Sequence, residues 1–177
     1  TAHVVIFGDI NNDGNLDVFA GVNPGTDPAK DNGDRTELLF GDGHGAFTVA
    51  EGGDARAEGE LWSLNAAAFT DADRDGNLDV FAAYGTDAAG APLQDRLYTG
   101  NGTGDFADVS NYVGLNYPGS VGTLDQLNTG ATNKNSWGVV AGDFNGDGFP
   151  DFVTASYGRA LNGIWLSEGE AHWAPGG

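Results

Sequence analysis

Short apolar runs, separated by clusters of glycine, asparagine and aspartate, recur along the whole chain. They are too short for typical helices and are rich in valine and phenylalanine, so the pattern predicts β-strands buried on both faces. Six of the runs form pairs, each pair enclosing an acidic segment: residues 4–7 and 16–20, 66–69 and 78–83, 139–141 and 152–155. The local order is therefore strand, acidic loop, strand.

A second repeated unit follows each pair of runs. Residues 37–47 and 96–106 each contain an apolar run, a Gly-Asp-Gly or Gly-Asn-Gly turn and an aromatic residue that starts the next strand, and residues 164–173 are a degenerate third copy. Such turns need the positive φ that glycine and asparagine tolerate, which is typical of β-hairpins. Four strands per repeat predict an all-β fold made of β-propeller blades, each with four antiparallel strands.

The acidic segments share the pattern D-x-[DN]-x-D-G-x-x-D, which begins at Asp9, Asp71 and Asp143, so that the copies are 62 and 72 residues apart. We call these segments loop 1 (9–17), loop 2 (71–79) and loop 3 (143–151). Calcium takes about six to eight oxygen ligands, and alternating Asp and Asn side chains in a sharp turn can supply several of them. Asp/Asn/Gly turns also occur without an ion, but three matched copies favour calcium.

An EF-hand is excluded because position twelve of each loop is Ala20, Ala82 or Thr154 instead of glutamate, and the flanking runs are strand-like. The chain carries 26 acidic and 7 basic residues, a net charge of −19, which disfavours nucleic acid and anionic membranes as partners. It contains no cysteine, which excludes disulfides and thiolate metal sites. There is no apolar run long enough for a membrane-spanning helix and no signal-peptide pattern, and Thr1 suggests a processed or internal start.

The acidic loops, together with the hairpin and exit RLYTGNGTGDFADVSNYVGL at residues 96–115, resemble the FG-GAP or VCBS repeat family, whose blades are similar to those of the integrin α-subunit propeller. The resemblance covers nearly the whole chain and implies calcium binding and an extracellular location. In the family pattern, side chains at positions 1, 3, 5 and 9 and the backbone carbonyl at position 7 bind calcium. It thereby implies three Ca²⁺ sites, formed by Asp9, Asn11, Asp13, Asn15 and Asp17; by Asp71, Asp73, Asp75, Asn77 and Asp79; and by Asp143, Asn145, Asp147, Phe149 and Asp151.

We expect a single repeat domain over residues 1–177, with blade 1 at about 1–50, blade 2 at about 60–113, an insertion at 114–135 and blade 3 at about 136–173. Propellers of the family that the chain resembles usually carry about seven blades, and a ring of three sheets cannot close. We expect a partial propeller, as part of a longer chain. The alternatives are that other chains complete the ring or that three blades pack openly against a partner.

For function, the leading hypothesis is a secreted or cell-surface module that binds a glycan or protein, as in adhesion. The alternatives are a structural subunit of an extracellular assembly or filament, and a non-catalytic or cleft-forming part of a polysaccharide-degrading enzyme. We do not expect an enzyme, because His3, His44 and His172 show neither metal nor triad spacing and no hydrolase motif is present.

Overall fold

The computed structural model describes residues 2–22, 36–50, 64–85, 93–110, 135–157, 162–167 and 173–175. These residues form three four-stranded antiparallel sheets, which confirms the all-β prediction. No helix capable of crossing a membrane is found among them. The expected insertion at 114–135 lies outside the described residues except for Asn135.

Each sheet is a meander in which strands adjacent in sequence are also adjacent in space. Sheet 1 consists of β1 (Ala2–Gly8), β2 (Asp17–Val22), β3 (Glu37–Gly41) and β4 (Phe47–Val49). Sheet 2 consists of β5 (Leu64–Thr70), β6 (Asp79–Tyr84), β7 (Arg96–Gly100) and β8 (Phe106–Asp108). Sheet 3 consists of β9 (Ser136–Gly142), β10 (Asp151–Ser156), β11 (Gly163–Ser167) and β12 (Trp173–Pro175).

The three sheets repeat the same register. Phe7 and Phe69 each lie two positions before the first aspartate of their acidic loop. Phe7 pairs with Val18 in sheet 1, and Phe69 pairs with Val80 in sheet 2, at the same distance from that aspartate. The first strand of every sheet also skips one residue in its pairing, and the skipped residues occupy equivalent positions: His3, Asn65 and Trp137. A bulge of this kind bends a strand and increases its twist. We call residues equivalent when they share this register.

Two apolar clusters join the sheets. The first lies between sheets 1 and 2, where the ring of Phe19 meets that of Phe69 edge-on at 6.3 Å. The second lies between sheets 2 and 3, where Phe81 stacks on Phe152 with ring centroids 4.3 Å apart. Sheet 2 is therefore the middle layer, and it packs through different faces on its two neighbours.

Strand β6 shows this double packing most clearly, because all six of its residues are buried. Val80 and Ala82 belong to the first cluster and Phe81 to the second. The prediction of strands buried on both faces is thus confirmed for β6. It is wrong for β1 and β9, where Val5 and Val140 are more than half exposed, since no described sheet covers the outer faces of sheets 1 and 3.

A buried polar link also connects sheets 2 and 3. Asp95 accepts one hydrogen bond from the backbone N–H of Tyr84 at 2.9 Å and another from the Ser136 hydroxyl at 2.8 Å. The Asn65 amide donates to the carbonyl of the same Ser136 at 2.8 Å. Because a buried carboxylate is costly unless it is hydrogen-bonded, this network fixes how β9 sits against sheet 2.

Candidate metal centre

The three acidic loops connect the first and second strands of their sheets: loop 1 joins β1 to β2, loop 2 joins β5 to β6, and loop 3 joins β9 to β10. The sequence placed them between strands, and the structure confirms this placement. Since the register is the same in all three sheets, the loops leave the sheets at equivalent points.

The loops share one backbone conformation. Positions 4 and 6 of every loop have positive φ, between 57° and 91°; these residues are Asn12 and Gly14, Arg74 and Gly76, and Gly146 and Gly148. The glycine at position 6 was expected from the sequence. Position 4 was missed, because asparagine, arginine and glycine share no chemistry that would indicate it. Two such residues turn the chain sharply enough to bring alternate side chains to the same side.

The aspartate at position 9 is fully buried in each loop. In loop 2, Asp79 accepts a hydrogen bond from the backbone N–H of Ala72 at 2.6 Å and a second from that of Gly100 at 2.9 Å. Asp17 accepts the corresponding bonds from the backbone N–H groups of Ile10 and Gly41. Asp151 accepts them from the backbone N–H groups of Phe144 and Ser167. Position 9 therefore ties the start of the loop to the third strand, a role that the sequence did not indicate.

The aspartate at position 1 turns inward and accepts hydrogen bonds from the backbone of its own loop. Asp9 uses both oxygens, one for Asp13 N–H and one for Gly14 N–H, each at 2.9 Å. Asp143 likewise uses both of its oxygens. Asp71 differs: its Oδ2 accepts from Gly76 N–H at 3.1 Å, whereas its Oδ1 is buried and has no hydrogen-bond partner.

Loop 2 also gathers three carboxylates. One oxygen from each of Asp71, Asp73 and Asp79 lies within 4.8 Å of the others. Burial raises the pKa of Asp73, and the nearby charges of Asp75 and Asp71 raise it further. Burial, together with the charge of Asp73, raises the pKa of Asp79 to about 6. Crowding of like charges and an unpartnered buried oxygen are the conditions that a divalent cation relieves, so these residues fit calcium.

The remaining predicted ligands of loop 2 lie beside this cluster. Asp75 accepts hydrogen bonds from both the backbone N–H and the side-chain amide of Asn77, each at 2.8 Å. In the part of the chain that the structure describes, loops 1 and 3 do not bring three acidic groups equally close. Their position 3 is an asparagine, which donates to the position-5 aspartate: Asn11 to Asp13 and Asn145 to Asp147.

Hydrogen bonding also distinguishes the aspartates of loops 1 and 3. Asp13 accepts the backbone N–H of Asn15, which lowers its pKa. Asp143 accepts the backbone N–H of Gly148, and its pKa is lowered as well. The anions of Asp13 and Asp143 are stabilised by their own loops, whereas those of Asp73 and Asp79 are destabilised by burial and, to a smaller extent, by neighbouring carboxylates.

Neighbouring loops touch through the same two positions. The Asn12 amide at position 4 of loop 1 donates to the side-chain oxygen of Asn77 at position 7 of loop 2, at 2.8 Å. The Arg74 guanidinium at position 4 of loop 2 lies 4.7 Å from the ring centre of Phe149 at position 7 of loop 3. The three loops therefore form a continuous row along one edge of the sheets.

Comparison with known proteins agrees with this architecture. No curated protein matches the chain. Residues 71–154 match the family profile described as an FG-GAP-like repeat, and this segment includes all of loops 2 and 3. Residues 71–154 are therefore similar to an FG-GAP-like repeat, as the acidic loops and hairpins predicted.

Proposed function

We propose that the chain is a calcium-stabilised β-propeller module of a secreted or cell-surface protein that binds a glycan or protein ligand. The observation that carries the calcium part is the buried, unpartnered Oδ1 of Asp71 beside the carboxylates of Asp73 and Asp79. A buried polar atom without a partner costs roughly 1 to 3 kcal/mol. Coordination to a cation would remove that cost.

In loop 2, Asp71, Asp73 and Asp79 would hold the ion, and the carbonyl of Asn77 would add a backbone ligand as the family pattern implies. Calcium would supply positive charge that offsets the mutual repulsion of these carboxylates. Asp79 would at the same time keep its bonds to Ala72 and Gly100, so ion binding would stabilise the junction of β5, β6 and β7. The role of the ion is structural.

The proposal extends to loops 1 and 3, because their backbone follows the same path, with positive φ at positions 4 and 6. Each has three aspartates and an asparagine at positions 1, 3, 5 and 9, whereas loop 2 has four aspartates. Since ligand charge is one determinant of calcium affinity, we expect loop 2 to fill first and loops 1 and 3 to need more calcium.

The placement outside the cell is supported by the family, because FG-GAP-like repeats are typical of extracellular proteins, where calcium is abundant enough for sites of moderate affinity. The ligand-binding role is supported by the architecture, in which the three loops form one row that calcium would make rigid. A rigid edge of a β-sheet scaffold is a common place for recognition loops. The proposed module has no catalytic role.

The test is calcium titration by calorimetry, combined with thermal unfolding in calcium and in chelator. We expect three bound ions per chain and a melting temperature that falls when calcium is removed. Asp71→Asn should remove the tightest binding event, while Asp105→Asn, which removes an exposed aspartate of the β7–β8 turn, should leave all three. Absence of binding at millimolar calcium would overturn the proposal.

A further inference from the structure

The outer faces of sheets 1 and 3 are apolar and exposed, although the equivalent residues of the other sheets are buried. Sheet 3 shows this most simply. Ile164 on β11 is 44% exposed, whereas its equivalents Leu38 in sheet 1 and Leu97 in sheet 2 are 1% and 0% exposed. Those two leucines are covered because another sheet follows theirs.

Two further residues of sheet 3 repeat this contrast. Phe144 is exposed, but its equivalents Ile10 and Ala72 are buried in the first and second clusters. Val140 is exposed, but its equivalent Ile6 packs against the first cluster. The outer face of sheet 3 is therefore equivalent to the faces of sheets 1 and 2 on which the next sheet packs.

Sheet 1 presents the opposite surface. Phe7, Leu16 and Phe47 are exposed and lie on its outer side. Their equivalents in sheet 2 are Phe69 and Phe106, which pack into the first cluster, and Leu78, whose side chain lies against Gly8 of sheet 1. The outer side of sheet 1 is thus equivalent to the side of sheet 2 that packs on sheet 1.

A cleft in sheet 1 agrees with this assignment. It is lined by residues that include Leu16, Gly45 and Phe47. A Cβ added to Gly45 would have no neighbouring atom within 4 Å. A Cβ added to the equivalent Gly104 of sheet 2 would lie 2.5 Å from the ring of Phe40, a residue of sheet 1. The cleft is the space that an aromatic or aliphatic side chain of a preceding sheet would fill.

We propose that a second copy of this chain occupies these faces, with the outer face of sheet 3 of one copy packed on the outer face of sheet 1 of the other. The two faces are complementary because sheets 1 and 2, and sheets 2 and 3, already meet in this manner within one chain. The contact is heterologous, so two copies close a ring through two such contacts if each contact rotates the next copy by half a turn. Two copies of residues 1–177 would place six sheets in that ring, within the range of about four to eight blades of closed propellers.

The first measurement is the mass of the protein in saturating calcium by light scattering over a wide concentration range. We expect twice the monomer mass of 18.2 kDa. Val5→Asp on sheet 1 and Val140→Asp on sheet 3 should each give monomers, because every contact uses one face of each kind. Both side chains are exposed, so we expect the variants to retain the fold. Ala107→Asp, on the exposed edge of sheet 2, is the matched control and should stay dimeric.

Cross-linking tests the head-to-tail direction. Phe19 meets Phe69 between sheets 1 and 2, and the equivalent pair across the proposed contact is Val153 of one copy and Phe7 of the other. The chain has no cysteine, so Phe7→Cys and Val153→Cys each provide a single thiol. A short bis-maleimide should link an equimolar mixture of the two variants and neither variant alone. A wild-type chain that stays monomeric at all concentrations, or efficient linking of Phe7→Cys to itself, would overturn the proposal.

Discussion

The aspartate at position 9 of each loop combines a structural role with its predicted role as a ligand. Asp79 is held by two backbone N–H groups from different parts of sheet 2, so its removal would weaken the fold even without calcium. Asp71 has one oxygen without any partner. Substitution at position 1 of loop 2 is therefore the more specific probe of metal binding.

At the residue scale, Gly100 should tolerate no side chain. A Cβ there would lie 2.2 Å from the backbone carbonyl oxygen of Leu78, and the Gly100 N–H is fixed by Asp79. We expect Gly100→Ala to lower the free energy of unfolding by about 2 kcal/mol or more, measured by urea denaturation.

Gly138→Ala is the matched control, because its Cβ would meet only the Cβ of Ala155, at an ordinary distance of 3.5 Å. This variant should be neutral or slightly stabilising, since alanine reduces the freedom of the unfolded chain. Equal losses of stability in the two variants would contradict the explanation by close backbone approach.

The residue scale also shows where sequence reasoning stops. The position-6 glycines were visible as a repeated type, whereas Arg74 at position 4 adopts its positive φ without any compositional signal. The bond from Gly100 to Asp79 spans 21 residues, and nothing in the local pattern indicates which distant N–H a buried carboxylate will accept. Asp95, which joins sheets 2 and 3, was missed for the same reason.

At the scale of elements, the strands and hairpins were predictable because each is bounded by turn residues and carries its own apolar run. The bulges at His3, Asn65 and Trp137 were not, since these three residues have no side-chain property in common. The row of loops was also not predictable. Contacts between loops depend on how the sheets are stacked, which the sequence of one loop does not contain.

The contact between Arg74 and Phe149 should couple loops 2 and 3 energetically. The Arg74 guanidinium lies 4.7 Å from the centre of the Phe149 ring, and exposed cation–π pairs contribute about 0.5 to 1 kcal/mol to stability. A double-mutant cycle with Arg74→Ala and Phe149→Ala, measured by chemical denaturation, should give a coupling energy of that size.

The control cycle combines Arg74→Ala with Phe144→Ala in place of Phe149→Ala. Phe144 is in the same loop but belongs to the exposed outer side of sheet 3. It should show no coupling with Arg74. Equal coupling in both cycles would mean that Arg74 acts through the general charge of the loop and not through contact with one ring.

At the scale of the whole molecule, the stacking of the sheets was foreseen only in part. The sequence pattern indicates three repeats but does not distinguish apolar runs that are buried on both faces from runs that are exposed on one. Val5 in sheet 1 and Ala67 in sheet 2 occupy equivalent positions, yet Val5 is exposed and Ala67 packs against the first cluster. Exposure is decided by whether a further sheet is present, and that is a property of the assembly.

The burial of β6 on both faces has a consequence for the order in which the protein opens. Sheet 1 can detach by breaking the first apolar cluster. Sheet 3 detaches only when the second cluster and the hydrogen bonds of Ser136 to Asp95 and Asn65 break. Solvent therefore reaches residues 79–84 fully only when both clusters are broken. Amide hydrogen exchange of the Val5→Asp variant, which we expect to be monomeric, should therefore be slowest in β6 and faster in β1 and β9. Uniform protection across the three sheets would show that they open as a single cooperative unit.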